Sequence, residues 1–168
     1  MSRKKQPGHS RGTPALGRLV ESGVEHIVHS YDHDEVTSSA MGYGVEAARA
    51  MGISPDRVFK TLMVLAGRKH VLGVVPVSRQ LDLKAMASAL GAKQVVLARP
   101  DVAERVSGSV VGGISPLGGR TTLDVVLDEA AMSYDTILVS AGKRGVDVEL
   151  SADDLLRVTG GQTAAIAR

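Results

Sequence analysis

The 168-residue chain has no cysteine and no tryptophan. Without cysteine, a disulfide framework, a thiolate zinc site and a protein thiol nucleophile are all excluded. Aromatic residues make up only 2% of the chain, so Leu, Val, Ile, Met and Ala must build the core. No apolar run is long enough to span a bilayer, and the N-terminus lacks the apolar segment of a secretory signal. We therefore expect a cytoplasmic protein.

The basic residues are concentrated at the N-terminus. The first 18 residues contain five basic residues and no acidic one, so the other 150 carry 15 basic and 18 acidic residues, a net charge of −3. Most of the chain is therefore not a strongly basic platform for nucleic acid. We expect residues 1–12 to form a disordered basic arm, with a weak phosphate contact as the alternative, and residues 13–168 to form one domain.

Capping residues, glycine stops and apolar periodicity predict helices alternating irregularly with strands. Helices are expected over residues 13–23, 43–52, 81–91, 99–108 and 151–160. Strands are expected over residues 25–31, 58–66, 70–77, 94–98, 122–128, 136–141 and 146–150, and a further strand from residue 110 runs into a glycine-rich loop. This order lacks a strict βαβ alternation. It predicts a single α+β domain with a mixed, barrel-like β-sheet flanked by helices.

The strand "VFKTLMVLAG" contains a lysine in an apolar setting. Alternate residues on both of its faces are mostly apolar, which is typical of a strand covered on both sides. Lys60 opens one of these rows, and a buried ammonium is costly unless another group compensates it. The position of Lys60 therefore needs an explanation.

Three motifs that would indicate a phosphate, dinucleotide or metal site are incomplete in this sequence. A phosphate loop at Gly142-Lys143 lacks its hydroxyl residue and its first glycine. "GYGVEA" has the spacing of a dinucleotide-binding turn, but no convincing strand precedes it. His29, Asp32, His33 and Asp34 lie close together in the sequence, yet no further cluster completes a metal-ligand set. An exposed polar loop is the commoner explanation, so we expect no metal and no cofactor.

A second set of polar or flexible residues lies among apolar ones. Gly112 and Gly113 allow close backbone approach, Ser140 ends an apolar strand, and Asp147 sits inside the next strand. Lys60 and Asp147 could simply snorkel or pair, and the glycines could simply turn the chain. Together with Lys60, however, these residues predict a pocket.

Five segments of the chain carry a resemblance to a known family: "VFKTLMV", "PVSRQLDLKAMASALGAKQV", "VGGISPLGGR", "ILVSAGKRGVDVEL" and the upstream "YDHD". In this order and spacing they resemble the YbaK/EbsC family of trans-acting aminoacyl-tRNA deacylases, and most of all its Cys-tRNA(Pro) deacylase branch. The resemblance extends from about residue 13 to residue 168. It implies a compact α+β fold and hydrolysis of the ester that joins a wrong amino acid to tRNA.

The resemblance also implies roles for individual residues. Lys60 corresponds to the essential lysine of the family, and Gly112 is expected to act beside it in catalysis. The substrate-binding residues implied are Tyr31, Gly113, Ser140 and Asp147. The expected partners are the acceptor end of a misacylated tRNA and prolyl-tRNA synthetase. In this branch the thiol of the substrate cysteine is thought to attack its own ester. Hydrolysis of another misacylated tRNA such as Ala-tRNA(Pro), or a non-catalytic binding module, remains the alternative.

Overall fold

The computed structural model describes residues 12–32 and 42–168. Its α-helices are α1 (Pro14–Glu21), α2 (Tyr43–Met51), α3 (Leu83–Leu90), α4 (Pro100–Ser107) and α5 (Ala152–Thr159). Its strands are β1 (Ile27–Ser30), β2 (Phe59–Ala66), β3 (Lys69–Pro76), β4 (Val96–Leu97), β5 (Asp124–Asp128), β6 (Ile137–Lys143), β7 (Val146–Leu150) and β8 (Gln162–Ala164). A 3₁₀ helix spans Glu129–Ser133. The predicted arm over residues 1–12 lies, except for its last residue, outside the described ranges.

The helix ends follow capping signals in the sequence. Thr13 accepts a hydrogen bond from the N–H of Leu16 at the start of α1, and Ser151 accepts one from Asp154 at the start of α5. The glycine after α3, Gly91, has a φ of 64°, in the left-handed region that glycine adopts most easily. These local signals explain why the predicted helices agree closely with the observed ones.

The strands form two sheets. The larger has the order β4-β2-β3-β5-β8, with antiparallel pairs around β2 and parallel pairs around β5. The smaller is antiparallel, with the order β1-β7-β6. A parallel bridge between Val58 and Leu138 joins them, and the Leu138 N–H donates to the Arg57 carbonyl over 3.0 Å. The predicted α+β fold with a mixed sheet is confirmed, but in the described ranges the sheets do not close into a barrel.

Two apolar layers cover the five-stranded sheet. One layer lies between the two sheets and includes Leu19, Leu127 and Leu155 from α1, β5 and α5. The other packs α3 and the C-terminal residues against the opposite face, around Met86 and Ile166. The site described next lies beside the first layer, where the sheets meet.

Three elements differ from the sequence-based predictions. No strand begins at residue 110; the chain there forms a turn and a loop, because Val110 is exposed and the two glycines that follow favour a turn. Strand β8 and the 3₁₀ helix were not predicted, since both are short. None of the helices in the described ranges has the length and apolar character needed to cross a membrane.

Candidate active site

A cavity of about 270 Å³ opens where the two sheets meet. Most of its lining is apolar, including Met63, Ala103 and Ile114. The polar groups come from Tyr31, Lys60, Thr61, Gly112, Ser140 and Asp147. The structure thus brings together five of the six residues named from the sequence, and Gly113 is not among those that line the cavity.

The cavity borders the edge of β2 at residues 59–61, a stretch that no described strand covers. The Val77 N–H donates to the Val58 carbonyl, so alternation along the strand turns the peptide groups of Phe59 and Thr61 away from β3. Strand β4 pairs with β2 only at residues 64 and 65. The backbone of Thr61 therefore faces the cavity and can hydrogen-bond a ligand there.

Lys60 supplies a cation at this edge. Its side chain is only partly buried, in contrast to the fully buried row that the sequence predicted, because the edge of β2 opens into the cavity. Desolvation lowers the pKa of the Lys60 ammonium below its ordinary value. Among the described residues Lys60 forms no salt bridge. The pairing of Lys60 with Asp147, which the sequence left open, is therefore not observed.

Asp147 lies in a polar row across the smaller sheet. It is paired in register with His29 on β1 and with Ser140 on β6, which places the three side chains on one face. The Tyr31 hydroxyl donates a hydrogen bond to the Asp147 carboxylate. Burial raises the pKa of Asp147 to about 6, while His29 and Tyr31 oppose that rise. Burial and the nearby Asp147 raise the pKa of the Tyr31 hydroxyl.

A second group of polar residues lies beside this row, on the same face of β7. Glu149, two residues after Asp147, accepts hydrogen bonds from the Thr136 hydroxyl at 2.6 Å and from the Arg57 guanidinium at 3.2 Å. The His29 Nε2 lies 2.8 Å from the other Glu149 oxygen. His29 is therefore oriented by Glu149, and within the described ranges no histidine is hydrogen-bonded to Ser140.

Gly112 lies in a tight turn beside the cavity. The Gly113 N–H donates to the Val110 carbonyl at 2.9 Å, and Gly112 has a φ of +87°. A positive φ at the third residue alone defines a type II turn, which favours glycine at that position. In the described part of the chain the Gly112 N–H has no hydrogen-bond partner.

Gly113 is closely packed beside the turn. Its N–H is used within the turn, and a Cβ on it would come within 2.9 Å of the backbone of Lys143 and Arg144. It is a close-packing residue between the turn and the β6–β7 connection. Its expected role in binding substrate stays a prediction.

Sequence reasoning missed two cavity residues. Tyr43, at the start of α2, packs its ring against Gly112. Thr61 has a buried hydroxyl, and this oxygen has no hydrogen-bond partner among the residues that the structure describes. The low aromatic content could have drawn attention to Tyr43, whereas Thr61 looks like any other β-branched strand residue.

No group of three or more metal-ligating side chains occurs in residues 12–32 and 42–168. Of the four His and Asp residues considered as ligands, His33 and Asp34 lie outside the described ranges. The cavity thus offers a cation, a backbone N–H donor and a carboxylate, together with apolar walls. That set can bind an ammonium group and stabilise negative charge that develops on a carbonyl oxygen.

Comparison with known proteins gives a consistent result. The family model described as "Aminoacyl-tRNA editing domain" matches residues 38–158. The chain is 39% identical over 150 residues to EbsC of Enterococcus faecalis, provisionally named a Cys-tRNA(Pro)/Cys-tRNA(Cys) deacylase, covering 89% of this chain and 90% of EbsC. It is 32% identical over 91 residues to the multifunctional Ser/Thr-tRNA deacylase ProXp-y of Escherichia coli, covering 54% of each chain.

Solved structures show the same fold. The crystal structure of a provisionally assigned trans-editing enzyme for prolyl tRNA synthetase superposes with a TM-score of 0.74 at 23% identity, covering 93% of this chain and 98% of that one. A hypothetical protein, APE2540, gives a TM-score of 0.79 at 23% identity, covering 92% and 99%. The cavity, the fold and the matched family agree, and the chain belongs to the aminoacyl-tRNA editing domain family.

Proposed function

We propose that the protein is an aminoacyl-tRNA deacylase that hydrolyses cysteine wrongly attached to tRNA(Pro). One observation carries this proposal: a single cavity combines Lys60, the Gly112 N–H and the buried carboxylate of Asp147. Within residues 12–32 and 42–168 the Gly112 N–H has no hydrogen-bond partner, and no histidine is hydrogen-bonded to Ser140. The names of EbsC and ProXp-y support the reaction class. The function places the protein in the cytoplasm, where tRNA is charged.

The polar groups of the cavity divide into two tasks. Attack on the ester turns its carbonyl oxygen into an oxyanion, which the Lys60 ammonium and the Gly112 N–H stabilise. Asp147 accepts a hydrogen bond from the α-ammonium of the amino acid, and Ser140 contacts the same amine or the terminal ribose. Tyr31 donates to Asp147 and so fixes the orientation of that carboxylate.

The nucleophile comes from the substrate. The cysteine sulfur attacks its own ester carbonyl, so a carbon–sulfur bond forms and the carbon–oxygen bond to the ribose breaks. The thiol proton ends on the ribose oxygen, and water then opens the cyclic thioester to free cysteine. The protein accelerates this intramolecular step by holding the two reacting atoms in place. Selectivity follows from the chemistry, since a small pocket separates similar side chains poorly.

A panel of charged tRNAs tests the proposal. Cys-, Ala-, Ser-, Thr- and Pro-tRNA(Pro) are incubated with the wild type and with Lys60→Ala, and release of the amino acid is measured. We expect release of cysteine but not of alanine, and a loss of about 10²–10³-fold in kcat for Lys60→Ala. Lys84→Ala, on the exposed face of α3, is the matched control.

Each other outcome has a clear meaning. Equal cysteine release by the wild type and Lys60→Ala excludes the role given to Lys60. Turnover of Ala-, Ser- or Thr-tRNA(Pro) instead of Cys-tRNA(Pro) identifies the protein as a deacylase of another misacylated tRNA. A complete absence of turnover makes it a non-catalytic tRNA- or synthetase-binding module.

Prolyl-tRNA synthetase is the proposed delivery partner. The chain beyond residue 18 carries a net charge of −3, so it should bind free tRNA weakly. A synthetase that holds tRNA(Pro) would present the acceptor end to the cavity. We expect added synthetase to lower the KM for Cys-tRNA(Pro), and an unchanged KM would exclude this route.

A further inference from the structure

The central peptide of the Val110–Gly113 turn decides which group points into the cavity. This peptide consists of the Val111 carbonyl and the Gly112 N–H. In a planar trans peptide these two groups point in opposite directions. Type I and type II turns differ by the orientation of this one peptide, with φ near −90° at the third residue in type I. A flip would exchange a hydrogen-bond donor for an acceptor at the cavity wall.

Two side chains outside the cavity hold Val111 from both sides. Glu104, on α4, accepts a hydrogen bond from the Val111 N–H at 3.0 Å. The Nε of Arg144, between β6 and β7, donates to the Val111 carbonyl at 2.7 Å. Val111 and Gly112 line the cavity, whereas Glu104 and Arg144 do not. The carbonyl is therefore drawn toward Arg144 and away from the cavity, which directs the Gly112 N–H the other way.

Tyr43 completes this support. The Arg144 guanidinium lies 4.0 Å from the centroid of the Tyr43 ring, a stacked cation–π arrangement. The same ring packs on Gly112, where a Cβ would lie 2.6 Å from the Tyr43 Cγ. The ring thus fills the space beside Gly112 and fixes the guanidinium that holds the Val111 carbonyl.

We propose that Arg144 and Glu104 are positioning residues that keep the Val110–Gly113 turn in its type II form, so that the Gly112 N–H donates to the oxyanion. Arg144 binds the carbonyl of the Val111–Gly112 peptide, and Glu104 binds the N–H of the preceding peptide. The inference rests on the proposed function and adds two residues that touch no substrate. The donor is set before substrate arrives, and preorganised donors of this kind stabilise a transition state strongly. Without the two side chains the peptide samples the flipped orientation, in which the carbonyl repels the oxyanion.

Four variants test the two positioning residues by deacylation kinetics. We expect Glu104→Ala and Arg144→Ala to lower kcat by about 10–100-fold, less than the full loss of an oxyanion donor, and to change KM by no more than about twofold. Glu104→Gln keeps the acceptor oxygen and should restore most of the rate. Arg144→Lys should not, because it loses the Nε donor and the planar stack. Arg105→Ala, the next residue on α4, is the control.

The double variant sharpens the test. Both residues stabilise the same turn, at the two peptide groups that flank the Val111 Cα. Glu104→Ala combined with Arg144→Ala should therefore lower kcat by no more than the worse single change. Unchanged kcat in both single variants would overturn the proposal. It would also be overturned if KM rose by the same factor by which kcat fell. The same holds if unfolding of the variants at the assay temperature accounted for their whole loss of activity.

A second readout separates this inference from the proposed function. In ¹⁵N-labelled protein, the Gly112 amide signal should move in Glu104→Ala and Arg144→Ala and stay in place in Arg105→Ala. If the wild type hydrolyses none of the tRNAs, the proposed function fails. A shifted Gly112 signal would then still support the conclusion that Glu104 and Arg144 fix the conformation of the turn. An unshifted signal would exclude it.

Discussion

Replacing Asp147 with Asn should make the protein more stable while it abolishes activity. Asp147 is only 5% exposed, and burial raises the pKa of its carboxyl from 3.8 to about 6. A shift of that size means that the ionised side chain costs the folded state about 3 kcal/mol. Asn has nearly the same shape, carries no charge and can still accept the hydrogen bond from Tyr31, so it avoids most of this cost.

The stability gained by Asp147→Asn increases with pH. Because the folded pKa is raised, the cost is absent below about pH 4, grows as the pH rises toward 6, and is fully present above 6. We expect Asp147→Asn to be about 1–3 kcal/mol more stable than the wild type at pH 7.5, and the gain to vanish near pH 4. In a chain of this length that gain raises Tm by roughly 2–10 °C.

Thermal unfolding at a series of pH values between 4 and 8 provides the measurement, with cysteine release followed in parallel. Asp135→Asn, at an exposed position just before β6, is the matched control and should change neither. If Asp147→Asn has the same Tm as the wild type at every pH, burial does not penalise this carboxylate. If it remains fully active, Asp147 does not bind the α-ammonium.

Three further predictions concern single positions. Gly112→Ala should lower kcat by at least about 100-fold and should also lower Tm, because the new side chain has a φ of +87° and presses against Tyr43. Gly17→Ala, whose new Cβ meets nothing within 4 Å, should lower neither kcat nor Tm. Thr61→Val should raise the free energy of unfolding by about 1 kcal/mol in denaturant titrations, since it removes a buried hydroxyl that has no partner; a loss of stability would show that the hydroxyl is satisfied. Glu149→Gln should be less stable than the wild type at pH 7, because hydrogen bonds, above all the one from Thr136, lower the pKa of Glu149. The difference in stability should shrink as the pH falls below 4.5, the ordinary pKa of a glutamate. A difference that does not depend on pH would contradict this.

Local signals in the sequence were sufficient for most helices and strands. Thr13 and Ser151 begin helices and Gly91 ends one, as side-chain caps and left-handed glycines do in general. The strand predicted from residue 110 was wrong because two adjacent valines carry no information about a turn whose cause is the following Gly112. Strand β8 has three residues and forms only through its parallel pairing with β5, a contact distant in sequence.

The site was predictable to the extent that unusual residues mark it. Lys60 in an apolar strand and Asp147 in another pointed to a pocket, and both line the same cavity. Pairing between distant strands could not be read from the sequence, so the alignment of Asp147 with His29 was missed. Arg144 was considered only within a failed phosphate-loop motif, since its contact with the Val111 carbonyl depends on how two loops meet.

The pairing of β1 with β7 has a consequence for protein synthesis. Strand β1 ends at Ser30, yet its partner in the sheet begins at Val146. Tyr31, on the N-terminal side, therefore cannot reach Asp147 until β7 has left the ribosome. Pairings between such distant segments form slowly, because a long loop must close first. A nascent chain would thus be inert toward aminoacyl esters until β7 has emerged from the ribosome and paired with β1.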